Sequence, residues 1–171
     1  MKDNLKKLAF SAMFLALCIV LPFITGGIEK IGNAISPMHI PVLICGLVCG
    51  WQYGATVGFV APILRSLIFG MPVMYPAAVA MAFELAVYGL VCGIMQKLLP
   101  KKNWCIYPSL IVSMLVGRLV WGLVRFAMSG IDGSVFSLTM FLEGAFITAL
   151  PAIICHILIV PPIAMLLKKI K

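Results

Sequence analysis

Four residues near the end of one apolar stretch, Arg118, Trp121, Gly122 and Arg125, could together bind a small anion. Their i, i+3, i+4, i+7 spacing places them on one face of a helix. Each guanidinium offers a rigid fork of donors that suits a carboxylate, the indole offers a flat surface, and the glycine leaves space for a ligand. We therefore interpret this face as a binding wall, in which an anion pairs with Arg125 and stacks on Trp121.

Three further charged residues, Arg65, Glu84 and Glu143, also lie within apolar stretches. Charges inside a bilayer are costly, so such residues are functional candidates by default. Glu84 and Arg118 lie at matching depth near mid-membrane and could form an ion pair, whereas Arg65, Arg125 and Glu143 fall in the outer third. The alternatives are structural: the Glu84–Arg118 pair could serve stability alone, and Arg65 and Arg125 could extend to the outer interface.

Two histidines and one asparagine complete the set of polar candidates. His39, near the outer end of the second predicted helix, could bind ligand or bond the backbone, and Asn33 lies in the loop before it. His156, placed deep in the cytoplasmic half, is interpreted as structural. The residues predicted to bind substrate are therefore Arg125, Trp121, Arg118, Glu84, Arg65, Glu143, His39 and Asn33.

Known catalytic and nucleotide-binding patterns do not occur in the sequence. It has no H-E-x-x-H, no G-x-S-x-G, and no G-x-x-x-x-G-K-[ST] loop to hold phosphates. Six cysteines lie in or beside apolar runs without a C-x-x-C pair, which is typical of small membrane-core residues. We predict no catalytic residue, no metal site, no cofactor and no ATP hydrolysis by the chain itself.

The composition requires lipid as the main solvent of this chain. Hydrophobic residues make up 63% of the 171 residues and charged residues 11%, and the mean hydropathy is +1.16. The net charge of +8 comes largely from three basic clusters, at residues 2–7, 97–102 and 168–171. This distribution fits the positive-inside rule better than a nucleic-acid-binding stripe.

The apolar runs and basic clusters together predict an all-α integral membrane protein with six transmembrane helices. If all three basic clusters are cytoplasmic, an even number of crossings must separate them, so both termini are cytoplasmic. Residues 31–69 then contribute two crossings with a turn at Trp51–Gly54, and residues 135–167 form one long helix, kinked at Pro151 and Pro161-Pro162. The predicted single domain covers residues 1–171, with helices at 5–25, 36–51, 53–69, 72–97, 104–128 and 135–167.

Small residues recur at four-residue spacing, which lets helices approach closely in lipid. Gly46, Gly50, Gly54 and Gly58 follow this period, as do Ala78, Ala82 and Ala86. We expect most of these residues to pack inside the protein. A shorter A-x-x-x-A pattern in the first helix consists of Ala12 and Ala16, and Ala9 extends this small surface by one turn.

The chain resembles the substrate-binding (S) component of energy-coupling factor (ECF) transporters over nearly its whole length. The resemblance rests on six helices, a basic N-terminus, A-x-x-x-A in the first helix and the absence of energy-coupling apparatus. It also rests on residues similar to the family's second and third helices: Ser36-Pro37-Met38-His39-Ile40-Pro41-Val42-Leu43, Cys45-Gly46, Gly54, Gly58 and Pro62-Ile63-Leu64-Arg65-Ser66.

The resemblance implies a function in nutrient uptake at a bacterial cell membrane. It implies that the protein captures a vitamin or vitamin precursor at its outer side and works with a transmembrane coupling subunit and two ATP-binding-cassette ATPases. The alanines Ala9, Ala12 and Ala16 would then face the coupling subunit. Two alternatives stay open: a small membrane enzyme acting on a lipid or isoprenoid with Glu84 or Glu143 as acid/base, and an assembly subunit that binds only protein.

Overall fold

The computed structural model describes residues 2–24, 36–100, 102–133 and 136–170. Within these ranges the chain is α-helical and contains no strand. The helices, in chain order, are α1 (Lys2–Ile24), α2 (His39–Cys49), α3 (Trp51–Phe69), α4 (Val79–Leu98), α5 (Ile106–Asp132), α6 (Leu138–Leu142) and α7 (Leu150–Ile170). A π-helical turn, Glu143–Ile147, links α6 to α7, so the two form one interrupted helix. Counted in this way, the described residues form six main helices, as predicted.

Four helical segments among the described residues are long and apolar enough to cross a bilayer: Asp3–Phe23, Met74–Leu98, Asn103–Ile131 and Leu138–Lys168. The protein is therefore a multi-pass membrane protein. Helix α2 has only 11 residues and is about 16 Å long, roughly half of the hydrocarbon core. Six complete crossings and cytoplasmic termini stay predictions, since residues 25–35, which precede α2, lie outside the described residues.

Helix α2 occupies the centre of the bundle, where α1, α3, α4 and α7 pack around it. Each of its residues from His39 to Cys49 is buried. A helix that is apolar on every side is stable only when other elements surround it. The burial of α2 therefore follows from its sequence, and it brings His39, at the first position of the helix, into the protein interior.

The chain turns between α2 and α3 at Gly50, whose φ of 103° favours glycine. The predicted turn at Trp51–Gly54 is wrong, because these residues form the first turn of α3. The Gly54 N–H donates to the Gly50 carbonyl at 3.0 Å. One glycine therefore makes the reversal, and the helix restarts at once.

Three glycines allow α2, α3 and α4 to touch backbone to backbone. A Cβ atom placed on Gly46 would lie 2.5 Å from the carbonyl oxygen of Gly89, and one placed on Gly54 would lie 2.7 Å from the Cα of Gly46. Real Cβ atoms do not approach so closely, so these positions exclude larger residues. The prediction that most of the glycine series packs inside the protein is confirmed for Gly46, Gly54 and Gly58, whereas a Cβ atom on Gly50 would have no neighbour within 4 Å.

The final helix is interrupted earlier than predicted. The break covers the π-helical turn Glu143–Ile147 and the two residues after it, upstream of Pro151. Pro151 occupies the first turn of α7, where a missing N–H is tolerated. Pro161 and Pro162 lie inside α7, which continues through both.

Candidate substrate-binding site

Five polar side chains from four helices meet inside the bundle. We call them the Glu84 cluster: His39 on α2, Glu84 and Tyr88 on α4, Arg118 on α5, and His156 on α7. His39, Glu84, Tyr88 and His156 are each at most 2% exposed. Polar side chains in such surroundings are costly unless they are paired, so their contacts define what the cluster can do.

The Glu84 carboxylate is the centre of this cluster. Arg118 Nη1 lies 3.1 Å from Glu84 Oε1, which confirms the predicted ion pair between α4 and α5. The Tyr88 hydroxyl donates to the same oxygen at 2.8 Å, and His39 Nε2 lies 3.8 Å away. The arginine balances the charge of the carboxylate, and the tyrosine adds a second donor.

The two histidines lie side by side, with ring centroids 5.6 Å apart and ring planes inclined by 18°. The different depths predicted for His39 and His156 therefore cannot both hold. His39 is the first residue of α2, which agrees with the prediction that it lies near an end of that helix. Counting depth along the sequence assumed that α2 spans the bilayer, whereas this short helix begins at His39. His156 Nε2 also lies 3.4 Å from the Ser36 carbonyl oxygen, which ties α7 to the residues just before α2.

Four buried nitrogen atoms, three in the cluster and one on Arg125, have no hydrogen-bond partner among the described residues. They are His39 Nδ1, His39 Nε2, Arg118 Nε and Arg125 Nε; a neutral imidazole donates from one of its two ring nitrogens. An unsatisfied buried polar group costs about 1–3 kcal/mol. Because a ligand acceptor would remove this cost, the free donors mark where a polar ligand would bind most favourably.

The binding role predicted for this face of α5 stays a prediction, and aromatic side chains cover the face. The space expected beside Gly122 is filled by the Phe141 ring, which would lie 2.2 Å from a Cβ atom placed there. Trp121 packs edge-on against Phe136, with centroids 6.0 Å apart, and its ring also faces Gly144. Arg125 Cζ lies 5.7 Å from the centre of the Phe136 ring. Phe136, for which no role was predicted, therefore contacts both of the residues expected to bind an anion.

Arg65 belongs to a different part of the structure. Its Nη1 donates to the Ile19 carbonyl of α1 at 2.6 Å. The guanidinium also lies over the rings of Phe23 and Phe69, 4.9 Å and 5.8 Å from their centres. The structure thus uses Arg65 to join α1 to α3 and does not bring it into the Glu84 cluster.

The remaining predicted residues do not join the cluster either. Glu143 is exposed, and its backbone carbonyl accepts hydrogen bonds from Thr148 N at 2.9 Å and Thr148 Oγ1 at 3.1 Å. Asn33 lies outside the described residues. The binding roles of both residues stay predictions.

An apolar cleft of about 280 Å³ adjoins the predicted binding wall on α5 and shares Gly122 and Phe136 with it. Leu119, Leu123 and Phe126 in its wall are more than 60% exposed, and the wall is completed by Gly122, Phe136, Ser137, Leu138 and Phe141. No charged side chain lines this cleft, so it suits lipid contact and not a water-soluble anion. The Glu84 cluster is the better candidate site.

The alanines of the first helix lie on its outward side. Ala9, Ala12 and Ala16 are exposed, whereas Phe14 and Cys18 on the other side of α1 are buried against the bundle. The A-x-x-x-A pattern therefore does not serve packing among the described helices. In a membrane this surface is free to contact lipid or another protein.

Helices long enough to span a membrane surround a buried site that contains the Glu84–Arg118 ion pair. These features define a multi-pass membrane protein with a polar site in its interior. Residues 6–168 match the family described as ECF transporter, substrate-specific component, and the chain belongs to that family. It is thus a membrane substrate-binding subunit, of a family of transporter components and not of enzymes. Membership implies association with transmembrane coupling and ATPase subunits. No curated protein and no solved structure matches the chain significantly.

Two residues of the cluster were not predicted to take part in it. Tyr88 follows Glu84 by four residues, one helical turn, so the spacing rule that linked Arg118 to Trp121 and Gly122 could also have found it. His156 gave no such signal. Its place beside His39 depends on the short length of α2 and on how α7 packs against it.

Proposed function

We propose that the protein captures a small water-soluble nutrient, of the vitamin or vitamin-precursor class, at the outer side of a bacterial cell membrane. Uptake is then driven by ATP hydrolysis in partner subunits. In this proposal the chain crosses the membrane six times with both termini in the cytoplasm, and the substrate binds along α5 between the Glu84 cluster and Arg125.

One observation carries the proposal: buried nitrogen atoms of His39, Arg118 and Arg125 have no hydrogen-bond partner among the described residues. A purely structural cluster is expected to satisfy its donors internally, as Glu84 does with Arg118 and Tyr88. Donors left without acceptors are expected where a ligand supplies those acceptors. Family membership supports the same function from independent grounds.

The exposed alanines support the part of the proposal that concerns partners. Ala9, Ala12 and Ala16 leave a shallow surface along α1, and small residues of this kind let a helix of another protein approach closely. We assign this surface to the transmembrane coupling subunit. The substrate site and the docking surface then lie on different helices, so residues of one can be substituted without changing the other.

The proposal is tested first on the purified full-length chain. We expect a small molecule to co-purify with it and to be identified by mass spectrometry after denaturation. Cells that express the chain with coupling and ATPase subunits should take up that molecule, and cells that lack the ATPases should not. Failure to retain or bind any small molecule, together with a stable protein partner, would instead support the assembly-subunit alternative.

A further inference from the structure

The free donors and the charges around them restrict the kind of molecule that fits, given the proposed function. Arg118 is neutralised by Glu84 at 3.1 Å. Arg125 has no carboxylate within salt-bridge distance among the residues that the structure describes. The site therefore has an uncompensated positive charge at the Arg125 end and a balanced pair at the Glu84 end.

The two ends of this site are well separated. Arg118 and Arg125 are seven residues apart on one continuous helix, which corresponds to a rise of about 10 Å. His39 lies at the Glu84 end, with both ring nitrogens buried and without hydrogen-bond partners in the described chain. A ligand that satisfies both ends must have polar groups at a comparable separation.

The middle of the site is aromatic. Trp121 lies between the two arginines along α5, and Phe136 contacts both Trp121 and Arg125. These flat apolar surfaces favour a planar or apolar central part of the ligand, whose burial contributes to binding without needing a hydrogen bond.

We propose that the substrate is an elongated monoanion. Its carboxylate binds Arg125, and an uncharged hydrogen-bond acceptor about 10 Å away binds His39 and Arg118 Nε. A second negative charge at the far end would face the Glu84 carboxylate and be repelled. A short anion would reach only one end of the site and leave the donors at the other end unpaired.

The inference is tested by binding of defined compounds to the purified full-length protein freed of bound small molecules. The main probe is 4-acetamidophenylacetate, a rigid monoanion with an amide acceptor at its far end. Three comparison compounds each remove one feature: phenylacetate lacks the far acceptor, 4-acetamidophenylacetamide lacks the charge, and N-acetylglycine lacks the length. A fourth, 1,4-phenylenediacetate, adds a second charge. We expect the main probe to bind at least about tenfold more tightly than each of the four.

Matched variants assign each end of the probe. Arg125→Gln should weaken binding of the main probe about tenfold or more and abolish its advantage over the amide, while Arg125→Lys should keep part of that advantage. His39→Phe should weaken binding of the main probe but leave phenylacetate binding unchanged. Lys97→Gln, which removes one exposed charge at the other end of α4, is the control and should bind every compound like the wild type.

The outcomes separate this inference from the function on which it rests. Binding of phenylacetate, N-acetylglycine, the amide or the dianion as tightly as the main probe overturns the substrate class. A co-purified molecule that is cationic, carries two negative charges or is too short to span the site also overturns the substrate class. If none of the probes binds, the chemistry of the co-purified molecule is the test of the substrate class. If the protein retains no small molecule and binds no probe, the proposed function itself fails.

Discussion

Arg118 on α5 and Glu84 on α4 form an ion pair at 3.1 Å inside the bundle. Glu84 is 2% exposed, and among the described lysines and arginines only Arg118 lies within salt-bridge distance of it. Arg118 therefore has two roles in our interpretation: Nη1 balances the carboxylate, and Nε stays available to a ligand.

The first prediction concerns this pair. Arg118→Ala should lower the free energy of unfolding by about 3–5 kcal/mol, because it leaves a buried carboxylate without its counter-charge. Thermal unfolding in detergent would measure the loss. The double variant Glu84→Gln with Arg118→Met removes both charges and should regain most of the stability; a double variant as unstable as Arg118→Ala would contradict this account.

A second prediction tests the glycine contacts among α2, α3 and α4. Gly54→Ala should destabilise the protein by about 1–3 kcal/mol, the usual cost of overpacking, because the new methyl group would meet the Gly46 backbone. Gly130→Ala is the matched control, since a Cβ atom there would contact nothing within 4 Å. Equal melting temperatures for the two variants would show that the helices can separate at no cost.

The third prediction separates Arg65 from the substrate site. Arg65→Ala should lower stability by about 1–2 kcal/mol, below the range for fully buried charged donors because Arg65 is only half-buried. Substrate affinity should stay within about threefold of the wild type, since Arg65 bonds the Ile19 carbonyl and not the Glu84 cluster. Titration of the co-purified substrate checks this, and a loss of binding with unchanged stability would return Arg65 to the site.

A fourth prediction addresses partner docking on α1. Ala12→Trp and Ala16→Trp should abolish uptake and co-purification with the coupling subunit, because a bulky ring prevents close helix approach. Substrate binding and thermal stability should be unchanged, since both alanines face away from the bundle. Leu115→Trp, at an exposed position on α5, is the control. Normal uptake by both alanine variants would exclude this surface as the docking site.

The fifth prediction tests the six-crossing topology by cysteine labelling. Single cysteines at Gly27 and Gly130 should react with an impermeant thiol reagent added outside intact cells, and one at Lys101 only after permeabilisation. A Cys155→Ser background removes the one native thiol among the six that is not buried. Labelling of position 101 in intact cells would overturn the model of six crossings.

The sequence was sufficient to predict the class of fold and one contact of the site. Hydropathy alone identified the long helices. The pairing of Glu84 with Arg118 was predicted from their matching depths, because both residues lie on long apolar helices along which depth can be counted. The periodic glycines likewise predicted close packing. These inferences depend on the spacing of residues along the sequence.

The errors arose where that counting does not apply. His39 and His156 were assigned different depths because α2 was expected to cross the membrane, and its actual length becomes clear only when it is packed. Arg65 was grouped with the other buried charges, since nothing in the sequence shows that the Ile19 carbonyl is its partner. Phe136 precedes the last helix, and its contact with Trp121 depends on how the chain folds back over α5.

The position of α2 has an electrostatic consequence. The N-terminus of a helix carries the positive end of its backbone dipole, about half an elementary charge. Because α2 begins at the buried residue His39, this partial charge lies inside the protein. His39 is the first residue of that helix and lies 3.8 Å from the Glu84 carboxylate. The backbone of α2 therefore stabilises negative charge at mid-bundle without adding a titratable group, and this contribution persists when the side chains around it are replaced.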